Sequence, residues 1–163
     1  MEKLLYNNKL YVCHEYLLEK DFESAVIEQA PHIFGENSIY IDIKKQIGES
    51  IITIPDGYLI DFSLEVEPRL HIIENELSSH DPYKHIGSQL LKFAISYKAS
   101  GRKIKEFLLD ALMKDESMRG RVEAGFLRAG YRNIDAFLES LIFEKPLNAV
   151  VAVSYTHLTL PTT

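Results

Sequence analysis

The fold is decided by residues 51–76, which read IITIPDGYLIDFSLEVEPRLHIIENE. Two runs of strand-forming residues are joined by a turn near 65–69. The first run is interrupted by Pro55, Asp56 and Gly57. Proline removes a donor from the strand ladder and glycine permits unusual dihedral angles, so we expect a bend that re-aims Asp56. Taken alone, this tripeptide is more typical of an ordinary turn.

The second run, residues 70–77, ends in two glutamates, Glu74 and Glu76. Side chains two residues apart on a strand point to the same side of the sheet, with Cα atoms about 6.6–6.8 Å apart. Their like charges repel and are costly to bury, and a hard, oxygen-liganded ion such as Mg²⁺ would remove that conflict. The alternative is a strand that ends in solvent at Glu74.

The rest of the chain alternates between helical and extended patterns. Before residue 51 we expect a short strand at 10–12, a helix at about 15–30 that Pro31 ends, a turn at Phe34 and Gly35, and a strand at 39–43. After residue 76 we expect a long helix from Asp81 and Pro82 to about Ala99, where Gly101 breaks it, then helices near 102–113, 116–128 and 133–143, and a strand at 148–152. This order predicts a mixed α/β (α+β) fold, in which helices flank a central mixed sheet of about four strands and a helical insertion precedes the last strand.

Length, charge and cysteine usage limit the classes of protein. The 163 residues favour one domain, over residues 1–152, and contain no apolar run long enough to span a membrane. The start of the sequence does not read as a secretory signal and Cys13 is the single cysteine, which favours a cytoplasmic location. A net charge of −6 is unusual for a stand-alone nucleic-acid binder, so we expect some DNA-binding surface to lie outside this chain.

Four further polar residues are placed where they can support the acids. Glu23 shares a helical face with apolar residues and so faces inward, unless it is only a first-turn acid favoured by the helix dipole. His85 and Gln89 lie one turn apart on the long helix and can face the glutamates, while His80 lies in the preceding loop. Capping or packing also accounts for either histidine, and a zinc site built from both of them is a weaker alternative.

Taken in order, Glu23, Asp56, Glu74 and Gln89 resemble the motifs of the PD-(D/E)XK nuclease superfamily over roughly residues 21–97. The resemblance implies a restriction-endonuclease-like core of helix, three strands, helix and strand. It implies that Glu23 is the acid of the first helix, that Asp56 and Glu74 bind metal, and that Gln89 is the glutamine of the following helix. It further implies hydrolysis of phosphodiester bonds, expected in DNA, with Mg²⁺ or Mn²⁺.

The sequence departs from the family where a lysine is usual, because that position is Glu76. Glu76 would then bind metal with Glu23, Asp56 and Glu74, or act as a general base. Lys44 or Lys45, on the adjoining strand, would supply the missing cation, and only one of them can face the site.

Two other functions remain open from the sequence. The departure at Glu76 and the acidic charge favour a catalytically inactive binding or assembly module with a nuclease fold. The other alternative is an α/β enzyme of different chemistry that uses His80 and His85. A homodimer, or a further domain missing from this chain, is compatible with each of these functions.

The last residues, 153–163, read VSYTHLTLPTT and resemble a translated sequencing adapter. The strand pattern of residues 148–153 is followed there by a threonine-rich segment without periodicity. We therefore expect residues 153–163 to be a non-native tail and the native chain to continue beyond about Ala152. An ordinary frayed terminus is the alternative.

Overall fold

The structure is a computed structural model that describes residues 3–6, 9–12, 14–78 and 82–154. The elements up to the middle of the chain are strands β1 (Lys3–Tyr6) and β2 (Lys9–Val12), helices α1 (Glu19–Glu28) and α2 (Ala30–Phe34), and strands β3 (Ser38–Ile41), β4 (Gly57–Asp61) and β5 (Arg69–Glu76). They are followed by helices α3 (Pro82–Lys114), α4 (Glu116–Arg128) and α5 (Ile134–Glu139), a π-helical turn (Ser140–Glu144) and strand β6 (Asn148–Val153).

The central sheet has four strands in the order β3-β4-β5-β6. The first three strands form an antiparallel meander, and β6 adds in parallel to β5 after the helical segment. A separate antiparallel hairpin joins β1 and β2. The predicted mixed α+β fold, with helices inserted before the last strand, is therefore confirmed.

The two faces of the sheet pack against different helices. Leu70 and Ile72 of β5 belong to the main core, which they share with Phe93 and Tyr97 of α3. Leu77, one residue beyond β5, packs in a smaller cluster with the α1 side chains of Phe22 and Val26. Side chains alternate along a strand, so even-numbered residues of β5 face α3 and odd-numbered residues face α1.

The prediction that Gly101 breaks the long helix is wrong. Helix α3 has 33 residues in all and passes through Gly101 to end at Lys114. A Cβ at Gly101 would lie only 2.5 Å from Cε1 of Phe143 and 3.2 Å from Cγ2 of Ile142. Glycine weakens an isolated helix by about 1 kcal/mol relative to alanine. Here the side chains of Phe143 and Ile142 pack directly against Gly101, a tertiary contact that the local sequence does not reveal.

Pro31 begins a helix instead of ending one. It lies in the first turn of α2, where proline is tolerated because the first amides of a helix need no intrahelical acceptor. The predicted turn at Phe34 and Gly35 is confirmed, since α2 ends there and Gly35 adopts φ 96°. The strand predicted at 39–43 ends at Ile41.

The C-terminal elements follow the prediction with two changes. The helix predicted at 133–143 is divided into α5 and the π-helical turn, and β6 extends to Val153. Residues 155–163 of the predicted tail lie outside the described residues, as do His80 and Asp81. Across the described ranges, no helix combines the length and apolarity needed to cross a membrane.

Candidate active site

Asp56 lies at the bend that the sequence predicts, directly before β4. Its amide donates to the carbonyl of Ile73 at 3.1 Å, which ties the bend to β5. Its carboxylate Oδ2 accepts a hydrogen bond of 2.7 Å from the amide of Asn75. The Asp56 carboxylate therefore lies against the peptide unit that joins Glu74 to Asn75.

A residue with a Cβ atom would not fit at Gly57 unless Tyr40 moved. The φ of Gly57 lies outside the left-handed region, but a Cβ there would lie 2.6 Å from the hydroxyl oxygen of Tyr40. That hydroxyl group is directed at the carbonyl of Asp56, at 3.5 Å. The expected bend is present, and the close approach of Tyr40 explains the glycine.

Glu74 and Glu76 lie together on the α3 side of β5. They are only 8% and 2% exposed. Nε2 of Gln89 donates to Oε1 of Glu74 at 3.0 Å, and Nδ1 of His85 lies 3.2 Å from Oε2 of Glu76. His85 and Gln89 lie one helical turn apart on α3, and each of them contacts one of the two glutamates.

Burial and the negative charge of Asp56 raise the pKa of Glu74 to about 7. The hydrogen bond from Gln89 lowers this pKa in part, while the charge of Glu76 raises it further. The second carboxylate oxygen of Glu74, Oε2, is buried without a hydrogen-bond partner among the described residues. A buried oxygen in this state is costly unless a proton or a cation is bound to it.

Asp56 is in a similar electrostatic position. Burial raises its pKa above the ordinary value, the amide of Asn75 lowers it, and the charge of Glu23 raises it. The charge of Lys44 lowers the pKa of Asp56 in turn. The structure therefore gathers mutually repelling carboxylates around Asp56, with a lysine nearby.

Glu23 projects from α1 toward this lysine and is 9% exposed. Its Oε1 forms an ion pair with Nζ of Lys44. Burial lowers the pKa of Lys44, but the hydrogen bond and charge of Glu23, with smaller contributions from Asp56 and Asp42, raise it above the ordinary value overall. Glu23, Lys44 and Asp56 are thus electrostatically linked.

These residues line one cavity of about 470 Å³ between α1 and the end of the sheet. Its lining consists of Glu19, Lys20, Glu23, Ser24, Ile27, Asp42, Lys44, Asp56 and Asn75. A volume of this size is in the range of small-ligand sites. Asp56 faces this cavity, while Glu74 and Glu76 face α3, so the site spans the end of β5.

Lys45 lies away from the site. Its ammonium is 4.0 Å from Oδ2 of Asp110 and 4.6 Å from the ring centroid of Phe107, both on α3. Lys44 and Lys45 follow β3, but the alternation continues past its end, because Ile41 and Ile43 belong to the main core whereas Asp42 and Lys44 line the cavity.

Sequence reasoning missed two contributors to the site. Asn75 is not among the predicted site residues, yet its amide donates to Asp56 and the residue lines the cavity. A partner for a main-chain amide depends on tertiary contacts, so no sequence signal marks it. Asp42 also lines the cavity, and its one signal is the alternation of polar residues with the isoleucines of 39–43.

The donor chemistry at Asp56 and Glu74 fits a hard divalent cation. Within the described ranges, no three Asp, Glu, His or Cys side chains converge as a ready-made metal cage. Mg²⁺ does not need such a cage, because it commonly binds one or two carboxylates and completes its shell with water and phosphate oxygens. Two repelling carboxylates, one with an unpartnered buried oxygen, meet that requirement.

No family model, curated protein or solved structure matches this chain.

Proposed function

We propose that this protein is a divalent-metal-dependent nuclease that hydrolyses phosphodiester bonds in DNA. The observation that carries the proposal is the junction of Asp56 with β5. The Asp56 carboxylate lies 2.7 Å from the amide that follows Glu74, whose buried carboxylate has its pKa raised to about 7. The charge of Asp56 acts on Glu74, so a cation bound near the end of β5 would relieve the repulsion between the two carboxylates.

Asp56 and Glu74 would hold Mg²⁺ or Mn²⁺. The ion would lower the pKa of a bound water and neutralise charge on the phosphate. Gln89 would orient Glu74 through the hydrogen bond that the two side chains already make. Glu76, which faces the same side, would add a third carboxylate as ligand or general base.

The charge of the chain shapes how nucleic acid would bind. At a net charge of −6, the acidic site repels a polyanion unless a cation is bound. The segment 92–132 differs from the rest of the acidic chain because it is basic, with ten lysines and arginines and five acidic residues. In this proposal the protein acts in the cytoplasm, and DNA contacts beyond the cleavage site come from basic surfaces such as this one or from a partner subunit.

The test uses Asp56→Asn and Glu74→Gln, which remove charge with little change in shape. Glu65→Gln, an exposed acid in the turn between β4 and β5, is the matched control. Cleavage of plasmid and linear DNA with Mg²⁺ or Mn²⁺ is measured beside Mn²⁺ binding by calorimetry. We expect both site variants to lose cleavage and to bind Mn²⁺ more weakly, and the control to retain both. Cleavage at the wild-type rate by either site variant would contradict the assignment.

A second candidate is a catalytically inactive binding or assembly module. The contact between His85 and the buried Glu76 favours it, because an imidazole N–H can donate to that carboxylate without a metal. Calorimetry separates the two functions. No Mn²⁺ binding at millimolar concentration, with a folded protein, supports the module, whereas binding that depends on Asp56 supports the nuclease.

A further inference from the structure

We infer that Glu23 is a positioning residue, which holds the Lys44 ammonium in the Asp56 cavity so that this cation stabilises charge on the substrate phosphate. Glu23 is then not itself a metal ligand. The inference rests on the proposed nuclease function and assigns separate tasks to the acids that surround the cavity.

The ion pair between Glu23 and Lys44 is the first observation. Glu23 is fixed on the inward face of α1 at 9% exposure, while 46% of the Lys44 side chain is exposed. One partner is therefore anchored, and the other reaches the open part of the cavity that Asp56 also lines. An anchored carboxylate reduces the number of conformations available to a long lysine side chain.

The second observation is the contrast between Glu23 and the other acids. The charge of Glu23 is already balanced by a lysine that contacts it directly. Oε1 of Glu23 and Oε2 of Glu74 are both buried without a regular hydrogen bond among the described residues, but the ammonium of Lys44 contacts Glu23, whereas no cationic side chain in that part of the chain forms an ion pair with Glu74. A metal ion at Glu23 would have to displace the ammonium or lie beside it, so the favourable site for the metal lies at Asp56 and Glu74.

The chemistry gives this cation a task. In hydrolysis the oxygen of water forms a bond to phosphorus, an ester P–O bond breaks, and the protons of water pass to solvent and to the leaving alcohol. Negative charge on the phosphate oxygens has to be stabilised as this proceeds. A preorganised donor at such a position is worth about 10²–10³ in kcat. Lys44 would stay protonated throughout.

Lys45 provides a matched control for Lys44. It is adjacent in sequence and equally exposed, at 47%, but its ammonium lies near Asp110 and Phe107 of α3. Glu28 provides the control for Glu23, because it lies on the same helix and is exposed.

The experiment compares Glu23→Gln, Lys44→Gln, the double variant, Lys44→Arg and the two controls, Lys45→Gln and Glu28→Gln. We expect Lys44→Gln to lower kcat on the order of 10²–10³-fold with KM nearly unchanged, and Glu23→Gln to lower kcat about 10-fold. Since Glu23 acts through Lys44, the double variant should equal Lys44→Gln alone. Lys44→Arg should keep most of the activity, and both controls all of it.

Mn²⁺ affinity measured by calorimetry is the readout that distinguishes a positioning residue from a ligand. We expect Glu23→Gln to bind Mn²⁺ within about twofold of the wild type. A loss comparable to that of Asp56→Asn would make Glu23 a ligand and overturn the inference, whether or not DNA is cleaved. If the wild type binds Mn²⁺ but cleaves no DNA, the nuclease function and the task of Lys44 fail together. Should Glu23→Gln not fold, equal activity of Lys44→Gln and Lys45→Gln would overturn the inference.

Discussion

The side-chain amide of Gln89 donates a hydrogen bond of 3.0 Å to Glu74, across the interface between α3 and β5. This bond stabilises the ionised carboxylate and opposes the burial that raises its pKa to about 7. Gln89 therefore helps to set the pH at which Glu74 becomes available as a metal ligand.

Metal binding should consequently depend on pH. Only the ionised carboxylate binds Mn²⁺, so affinity should fall about tenfold for each pH unit below about 7, the pKa of Glu74. Gln89→Leu removes a bond that lowers this pKa, so its affinity profile should move to higher pH. Gln46→Leu, at an exposed position, should not change the profile. Calorimetric titrations from about 1.5 pH units below 7 to about 1.5 units above it check this, and coincident profiles for the wild type and Gln89→Leu would disprove the role of Gln89.

Glu74 should also make the metal-free protein less stable at high pH. Its pKa rises from 4.5 to about 7 on folding, so folding favours the protonated carboxyl group. The stability of the folded protein is therefore highest below pH 4.5 with respect to this group, and part of it is lost as the pH rises through 7. At about 1.4 kcal/mol per pH unit, this loss amounts to at most about 3.5 kcal/mol. Glu74→Gln should therefore raise the free energy of unfolding at pH 8 and leave it unchanged near pH 4.

Urea unfolding with a chelator present measures this difference. The Glu65→Gln protein should match the wild type at both pH values, since this acid is exposed. Adding Mg²⁺ at pH 8 should restore stability to the wild type but not to Glu74→Gln, because a ligand that binds only the folded state stabilises it. A wild type that is as stable as Glu74→Gln at pH 8 would contradict the electrostatic description.

The loop that leads to Asp56 is attached to α3 by two serines. The amide of Gly48 donates to Oγ of Ser100 at 2.7 Å, and Oγ of Ser96 donates to the carbonyl of Ile51 at 2.6 Å. Ser100→Ala leaves a buried amide without an acceptor, so we expect a loss of about 1–3 kcal/mol in the free energy of unfolding. Ser88→Ala, at an exposed position of the same helix, should change stability little. Equal urea midpoints for the two variants would show that this attachment is unimportant.

Periodicity predicted those parts of the site that depend on short-range spacing. Glu74 and Glu76 share a strand face, and His85 and Gln89 share a helix face, so each pair could be oriented from the sequence alone. The bend at Asp56 followed from the residues on either side of it. These features require only the local conformation to be right.

The remaining features depend on contacts between distant segments. The alternation of the isoleucines of 39–43 with Asp42 extends past β3 and places Lys44 on the cavity side, but that α1 and Asp56 border this side is decided by tertiary contacts. Every residue other than proline has a main-chain amide, so the sequence does not mark the amide of Asn75. It becomes a hydrogen-bond donor to Asp56 only because the fold brings that carboxylate beside it. A proline such as Pro31 can end one helix or lie in the first turn of the next, and where the second helix begins decides between the two.

Gly101 gives the sharpest test of such a tertiary cause. Alanine at this position gains about 1 kcal/mol of helix propensity, but its Cβ would lie 2.5 Å from the ring of Phe143. Phe143 is half-exposed but Ile142 beside it is buried, so we expect the disturbed packing to outweigh the gain and Gly101→Ala to lower the free energy of unfolding by about 1 kcal/mol. Gly87→Ala on the same helix meets no atom within 4 Å and should instead raise it by about 0.5–1 kcal/mol. Adding Phe143→Leu to Gly101→Ala should recover part of the loss, and a Gly101→Ala protein as stable as Gly87→Ala would refute the packing explanation.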